Sequence, residues 1–556
     1  MAKHTWVRAL TALLVTSVAT ALLTSCGGDA EPPTTPVGSH SGAAKTGGTL
    51  TYLEPQTFNT LYPPSAGFYP NGGIINNITD RLLYQNPETL QLEPWIATAL
   101  PEINDDATEY TFTLRDDVTY SDGSKLTAEN VVKNLDLFGK GDPDRALPVS
   151  EAINNYESGE VVDEHTVKFH FSAPAPGFAQ AVSTINSGLV SDATLDLNAD
   201  GFGPGNAAKI IGSGPFVIEK EEIGTKLTVK AREDYNWAPP SLAHQGRAYL
   251  DQIDYVVAGE NSVRTGSLTA GQADIARQIE APDEAVVKGA GLTVVSKPTN
   301  GVTNSLSLRF PHPFLSDIKV RQAIIAGIDR EAIIEALFTE SYPLATSSLA
   351  KGALGYKDQS AAYVYDTAKA AQLLDEAGWA LGSDGVRTKD GQRLTLTFNI
   401  ALPQPRSADV LTIIQDQLRQ IGIEVKIISG DQAAQTTASA DINQVQIYHS
   451  MVARADYDVI KSQFHSANRN TLQNLSSATG KVTDPELDKL LEAVASEPKD
   501  ADRAAASAAV QDYLTEKAYV LPLFEEPQVY GLQTYVEGFS TESVARPTFY
   551  SVQLNK

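Results

Sequence analysis

The side chains best suited to covalent or metal chemistry are few here. The chain carries a single Cys, Cys26, which ends the first apolar run. The body that follows therefore has no thiol for a disulfide, a thiolate metal site or nucleophilic attack. Imidazole is no more concentrated: the eight His are scattered from His4 to His465 without ligand spacing. No GxSxG, HExxH, P-loop or GxGxxG pattern occurs. Ser316-Asp317-Ile318-Lys319 satisfies SxxK and Lys45-Thr46-Gly47 satisfies KTG, but in the reverse of the order that a Ser-Lys acylation site uses, so chance explains the pair better. These residues predict a protein with no resident metal or cofactor that is not an enzyme.

Cys26 has a different use. Lys3, His4 and Arg8 precede or open an apolar stretch, Ala9 to Leu23, of 15 residues. A membrane-spanning helix needs about 20, so the stretch reads as the core of a signal peptide over residues 1–25. It ends in Leu23-Thr24-Ser25-Cys26, which resembles the bacterial lipobox, where small residues before the Cys admit a lipidating enzyme and a peptidase. Cys26 would carry diacylglycerol and become the first residue. Residues 26–47 are then a lipidated Cys and a flexible tether rich in Gly, Pro, Ser, Thr and Ala. About 20 such residues reach roughly 25 Å, enough to hold a soluble body near a membrane partner. The expected location is the outer face of the cytoplasmic membrane, with lipid as the anchor.

The bulk numbers fit that picture. At 556 residues the chain exceeds one ordinary core, so two or more domains are expected, and 42% hydrophobic with 20% charged residues is ordinary globular usage. The formal charge of −25 argues against nucleic acid as a partner and otherwise describes a solvated surface. A monomer is expected.

Alternation predicts strands at Thr49 to Leu53, Thr108 to Leu114 and His165 to Phe171, the last with Val167, Phe169 and Phe171 on one face and His170 solvated on the other. Asp122-Gly123 is a turn leading to a helix over Ala128 to Phe138 capped by Thr127. The second half alternates helix and strand. A long helix is predicted from Ser316 to Phe338, and another after Asp366 closed by Gly378. Strand 394–400, helix 407–420 and strand 423–428 form a βαβ unit on a parallel sheet. Asp484-Pro485 opens a further amphipathic helix. There is no internal repeat.

Several of these pieces stand in the order found in a known family. Tyr110 to Arg115 leading to Ser121-Asp122-Gly123 and Leu126 to Val131, Gly212-Ser213-Gly214-Pro215-Phe216, Val320-Arg321-Gln322-Ala323 with Ile328-Asp329-Arg330-Glu331, and the helix Ala368 to Trp379 resemble motifs of the extracellular solute-binding proteins of dipeptide, oligopeptide and nickel ABC importers. The resemblance implies an α/β, periplasmic-binding-protein-like fold of two mixed α/β bodies joined by a hinge, with an extra inserted lobe in the first. The implied division is a first body over 48–300 with the inserted lobe at about 90–208, a second body over 301–524, and a return to the first over 525–556. It further implies a small-molecule or peptide solute enclosed by hinge closure, and ABC permease and ATPase subunits as partners.

Peptide-binding members of that family pair the peptide amino terminus with a carboxylate in a segment that corresponds here to Tyr448 to Asp458, making Asp456 the implied anchor. Arg454, two residues earlier, is suited either to grip a carboxylate or phosphate or to neutralise Asp456 and Asp458. Tyr448 and His449 are candidates for the same wall. The loop over Tyr62 to Asn77 is usually aimed into the cleft, which offers Tyr69 and Asn71. Arg321 belongs to a structural helix and is read as an ion-pair residue. The solute expected is a peptide or peptide-like zwitterion; a metal chelate or metallophore, another small solute, and a sensing role stay open.

Overall fold

The computed structural model describes residues 45–556. Cys26 and the predicted signal peptide lie outside the described residues, as does the tether up to residue 44. The last tether residues are already fixed to the body: Gly47 donates its N–H to the Tyr249 carbonyl and Lys45 its ammonium to the carbonyl of Lys556.

Two sheets organise the chain. The first has seven strands, in the spatial order Thr293–Pro298, Pro527–Leu532, Ile275–Arg277, Thr49–Glu54, Gln252–Val257, Lys226–Ala231 and Phe216–Glu222. Thr49–Glu54 runs parallel to both its neighbours, and the remaining pairs are antiparallel. Inserted between its first two strands in sequence is a lobe built on a four-stranded antiparallel sheet, Glu102–Ile103, Glu109–Thr113, Thr166–Phe171 and Tyr156–Asp163. The alternation seen in sequence drives this sheet: Tyr110, Phe112, Val167, Phe169 and Phe171 are buried, while His170 is left beside Glu109 and Glu160. Behind the sheet lies the helix Ala128–Lys140. Thr127 Oγ1 caps it by accepting from the Asn130 N–H at 3.2 Å, and Gly141, with φ 67°, ends it.

The second sheet has five strands in the order Glu424–Ile427, Thr395–Phe398, Ile447–Ala453, Gly301–Leu308 and Val520–Phe524. The expected βαβ unit is present: Thr395–Phe398 pairs in parallel with Glu424–Ile427, and the intervening helix Ser407–Gln420 buries Val410, Leu411, Ile414 and Leu418. The helix Thr367–Glu376 is capped by Asp366, and Gly378 follows it with φ 84°.

Three expectations are corrected. The long helix from Ser316 to Phe338 is two, Ile318–Ala326 and Arg330–Leu337. The chain breaks at Gly327, and Asp329 restarts it by accepting from the Ala332 N–H, while the Gln417 amide bonds both the N–H and the carbonyl of Asp329 and fills the gap. The stretch Tyr62 to Asn77 is not a loop but a short turn, Pro63–Ser65, followed by the helix Tyr69–Ile78, with Pro70 in its first turn where no N–H is missed. Among the described residues Arg321 makes no ion pair: it donates to the carbonyls of Leu315, Ser316 and Lys517, tying its helix to the end of another.

The chain crosses between the two sheets twice, through Thr299-Asn300 and back through Glu525-Glu526. The crossings lie side by side, since Thr299 Oγ1 donates to the Glu526 carbonyl at 2.6 Å. Both residues after Pro298 and Thr299 take the left-handed conformation that an abrupt change of direction needs, Asn300 at φ 47° and Gly301 at φ 94°. The final residues fold back on the first sheet, where Phe549 packs edge-on to Tyr52 and Asn77 bonds the Pro547 carbonyl and the Phe549 N–H. No helix among the described residues is long and apolar enough to cross a membrane.

Candidate functional site

Between the sheets, against the two crossings, lies a cavity of about 600 Å³. The helix Tyr69–Ile78 and the strand Ile275–Arg277 reach it from one side, the strand Ile447–Ala453 from the other, and Pro148 to Ala152 of the inserted lobe cover its mouth. Such a position, between bodies and lined by both, is where a small solute is most completely removed from water.

Tyr69 sits where its sequence position suggested. Its ring lies between two guanidinium groups, 5.2 Å from Arg277 and 4.8 Å from Arg546, and its hydroxyl donates to the Val544 carbonyl. Asn71 does not reach the cavity. It is fully buried on the other face of the helix, where its side chain bonds the backbone and side chain of Asn59 and the Ser65 carbonyl. Its task is to pin the preceding turn.

Tyr448, His449 and Arg454 all line the cavity, the first two from opposite faces of one strand and Arg454 from just beyond its end. Tyr448 stacks under the guanidinium of Arg309 at 4.9 Å. His449 is 1% exposed and faces the wall from within. Asn304 Oδ1 can only accept, so His449 Nε2 carries the proton, and Nδ1 accepts from the Ser407 hydroxyl at 2.9 Å. Burial pushes the imidazole down to about 4, so it is neutral at physiological pH.

Arg454 and Asp456 answer each other. The guanidinium donates two parallel bonds, Nε to Oδ2 at 2.8 Å and Nη2 to Oδ1 at 3.0 Å, and Asp456 is 3% exposed. Burial works against the arginine's charge, and its acidic neighbours, Asp456 foremost, more than offset it. Both oxygens of Asp456 are thus occupied and it does not line the cavity, whereas Arg454 presents a buried Nη1 with no partner. Of the two readings of this dipeptide neighbourhood, mutual neutralisation describes the geometry.

Sequence reasoning missed several lining residues, Arg277, Arg546 and Glu526 among them. Arg277 is held by Glu54 and by Gln528 Oε1, at 2.6 Å from the latter, and Arg546 by Glu542 and the Gly67 carbonyl. Glu526, in the second crossing, is 4% exposed and accepts at Oε2 from Asn304 Nδ2 at 3.1 Å; burial pushes its carboxyl up to about 8. Nothing local marks Arg277 and Glu526, whose partners lie 223 and 222 residues away, whereas the partner of Arg546, Glu542, stands four residues before it.

These features define a two-lobed α/β protein with a cavity between its lobes. The match described as "Bacterial extracellular solute-binding proteins, family 5 Middle" spans residues 91–478, and the chain belongs to that family. It is 28% identical over 390 residues to the glutathione-binding protein GsiB of Salmonella typhi, a match covering 69% of this chain and 70% of that one. In three dimensions it resembles NikA of Brucella suis, solved with Fe(III)-EDTA, at a TM-score of 0.75 and 22% identity over 91% of this chain and 100% of that one. It equally resembles the oligopeptide-binding protein AppA of Bacillus subtilis, solved with a nonapeptide, at a TM-score of 0.73 and 21% identity over 92% of this chain and 100% of that one.

Proposed function

We propose that the protein captures a peptide or peptide-like solute outside the cytoplasmic membrane and delivers it to the permease and ATPase subunits of an ABC importer. The observation that carries this reading is the cavity of about 600 Å³ closed on opposite sides by separate lobes that share two adjacent crossings. A volume between about 300 and 1,000 Å³ is that of sites that enclose small molecules. A solute contacting both lobes stabilises the closed arrangement by its differential contact, which is how capture is signalled to a membrane partner. The work is recognition rather than catalysis. Lipid on Cys26 would keep the protein beside its importer, and the Asn and Gln residues lining the cleft suit a solute with peptide-like donors and acceptors.

Native mass spectrometry on gently purified protein, followed by identification of the released molecule, tests this. Short peptides or peptide-like zwitterions are expected. A metal chelate or a non-peptide solute would overturn the peptide assignment while leaving the binding role intact.

A further inference from the structure

The charged side chains lining the cavity are four arginines, Arg277, Arg454, Arg469 and Arg546, and three glutamates, Glu151, Glu526 and Glu542. Each arginine has a carboxylate: Arg277 has Glu54, Arg454 has Asp456, Arg469 has Glu151 and Arg546 has Glu542. Glu526 is left over. Among the described residues no Lys, Arg or His forms an ion pair with it, and its Oε1 is buried without any partner.

The other oxygen is held with care. Oε2 accepts from Asn304 Nδ2, and the same nitrogen donates to Gln404 Oε1 at 2.8 Å, while Asn304 Oδ1 takes the proton of His449, itself fixed by Ser407. Residues of two strands and the start of a helix thus orient one oxygen of this cavity-lining carboxyl group and leave its twin without a partner. A buried carboxyl kept for structure alone is satisfied at both oxygens, since an unpartnered buried acceptor is costly. A buried carboxylate with no counter-charge is costlier still, and the group responds by holding its proton.

We propose that Glu526 is the anchor for a positively charged nitrogen of the solute, most simply a primary amine, seated at the crossing between the lobes. This rests on the cleft being the solute site. The incoming cation supplies the missing counter-charge, the Glu526 proton leaves to solvent, and Oε1 gains its donor. Asp456 is poorly placed for this part, because it does not line the cavity and each of its oxygens already accepts from Arg454. Asn304 and His449 are positioning residues, acting through the orientation of Oε2.

The test uses purified protein and two probes: a pool of tripeptides with free amino termini and the same pool N-acetylated. Retention is read by mass spectrometry for wild type, Glu526→Gln and the cleft-filling Met451→Trp. The expected result is retention of the free-amine pool by wild type, at least tenfold less by Glu526→Gln, and none by Met451→Trp. Equal retention by wild type and Glu526→Gln, with loss in Met451→Trp, overturns the anchor and leaves the cleft reading standing; undiminished retention by Met451→Trp overturns the cleft reading. Retention of neither pool by wild type, or preference for the acetylated one, overturns the amine assignment. A ligand-free measurement guards the geometry. The groups facing Glu526 are the phenols of Tyr69 and Tyr342, both pushed up by burial, and, beyond Asn304, His449, pushed down by it to about 4, so none changes charge between pH 6.5 and 9. Wild type should lose thermal stability relative to Glu526→Gln as pH rises through about 8, because the native carboxyl holds a proton that the unfolded one has lost. Parallel profiles would show that Glu526 is already compensated and overturn the proposal.

Discussion

The guanidinium of Arg469 in the second lobe stands 2.9 Å from the carboxylate of Glu151 in the inserted lobe, across the mouth of the cavity. The two side chains are 44% and 60% exposed, so solvent screens the pair and its worth is about 0–1 kcal/mol. Glu151→Gln should therefore shift the balance between open and closed lobes by no more than about fivefold, with the remaining effect vanishing in high salt. Distance measurement between fluorophores on the two lobes checks this; a larger shift would mean that the contact is a true latch.

Asp456→Asn should destabilise the fold by about 3–5 kcal/mol, because it strands the Arg454 charge in a water-poor wall. Replacing both partners, Arg454→Met with Asp456→Asn, should recover at least half of the loss. Denaturant unfolding of the four proteins in the cycle gives the coupling directly.

His449 is neutral in the native protein, with its pKa held down at about 4 by burial against an ordinary value of 6.5. The unfolded chain then binds the extra proton first as pH falls, so the stability this group contributes is intact above about 6.5 and is lost as pH drops through 4, on the order of 3 kcal/mol in all. His449→Gln should lack this component. The difference between the two unfolding free energies, followed from pH 7.5 to 4, isolates it from the opposite slope of Glu526.

Gly301→Ala should cost more than about 1 kcal/mol, since φ 94° is strained for any residue with a Cβ and the added atom would stand 2.5 Å from the Val452 carbonyl oxygen. Backbone is in the way, so no side chain can yield to make room. Thermal unfolding measures the loss, and unchanged stability would show that the crossing is free to relax.

Local chemistry explains what sequence could show. Thr127 and Asp366 bond N–H groups three residues on, so their role is written within one helical turn, and the βαβ unit at 394–428 shows in the spacing of Val410, Leu411, Ile414 and Leu418. The break between Ala326 and Arg330 escaped because the apolar period continues across it, while the residue that stabilises it, Gln417, lies 88 positions away. Asn71 and Asp456 were polar residues in the right neighbourhood, but which way each faces was decided by Asn59 and Arg454. Glu526 was hidden for a converse reason. It follows Glu525, whose carboxylate bonds the Lys351 N–H at the surface, and an acidic doublet looks solvated until one member is seen turned inward.

The tie between Thr299 and Glu526 has a consequence for the order of events. When two bodies swing about paired crossings, atoms on the crossings travel least, and atoms at the far rim travel most. A group of the solute resting on Glu526 is therefore at nearly the same distance in the open and the shut molecule, and contributes to first capture without favouring closure. The drive to shut must come from the wall farther from the pivot, where Tyr448 and the cover at Pro148 to Ala152 face whatever is already held. Affinity for the charged end and selectivity for the rest of the solute are thus set at different radii from one pivot, and can change independently.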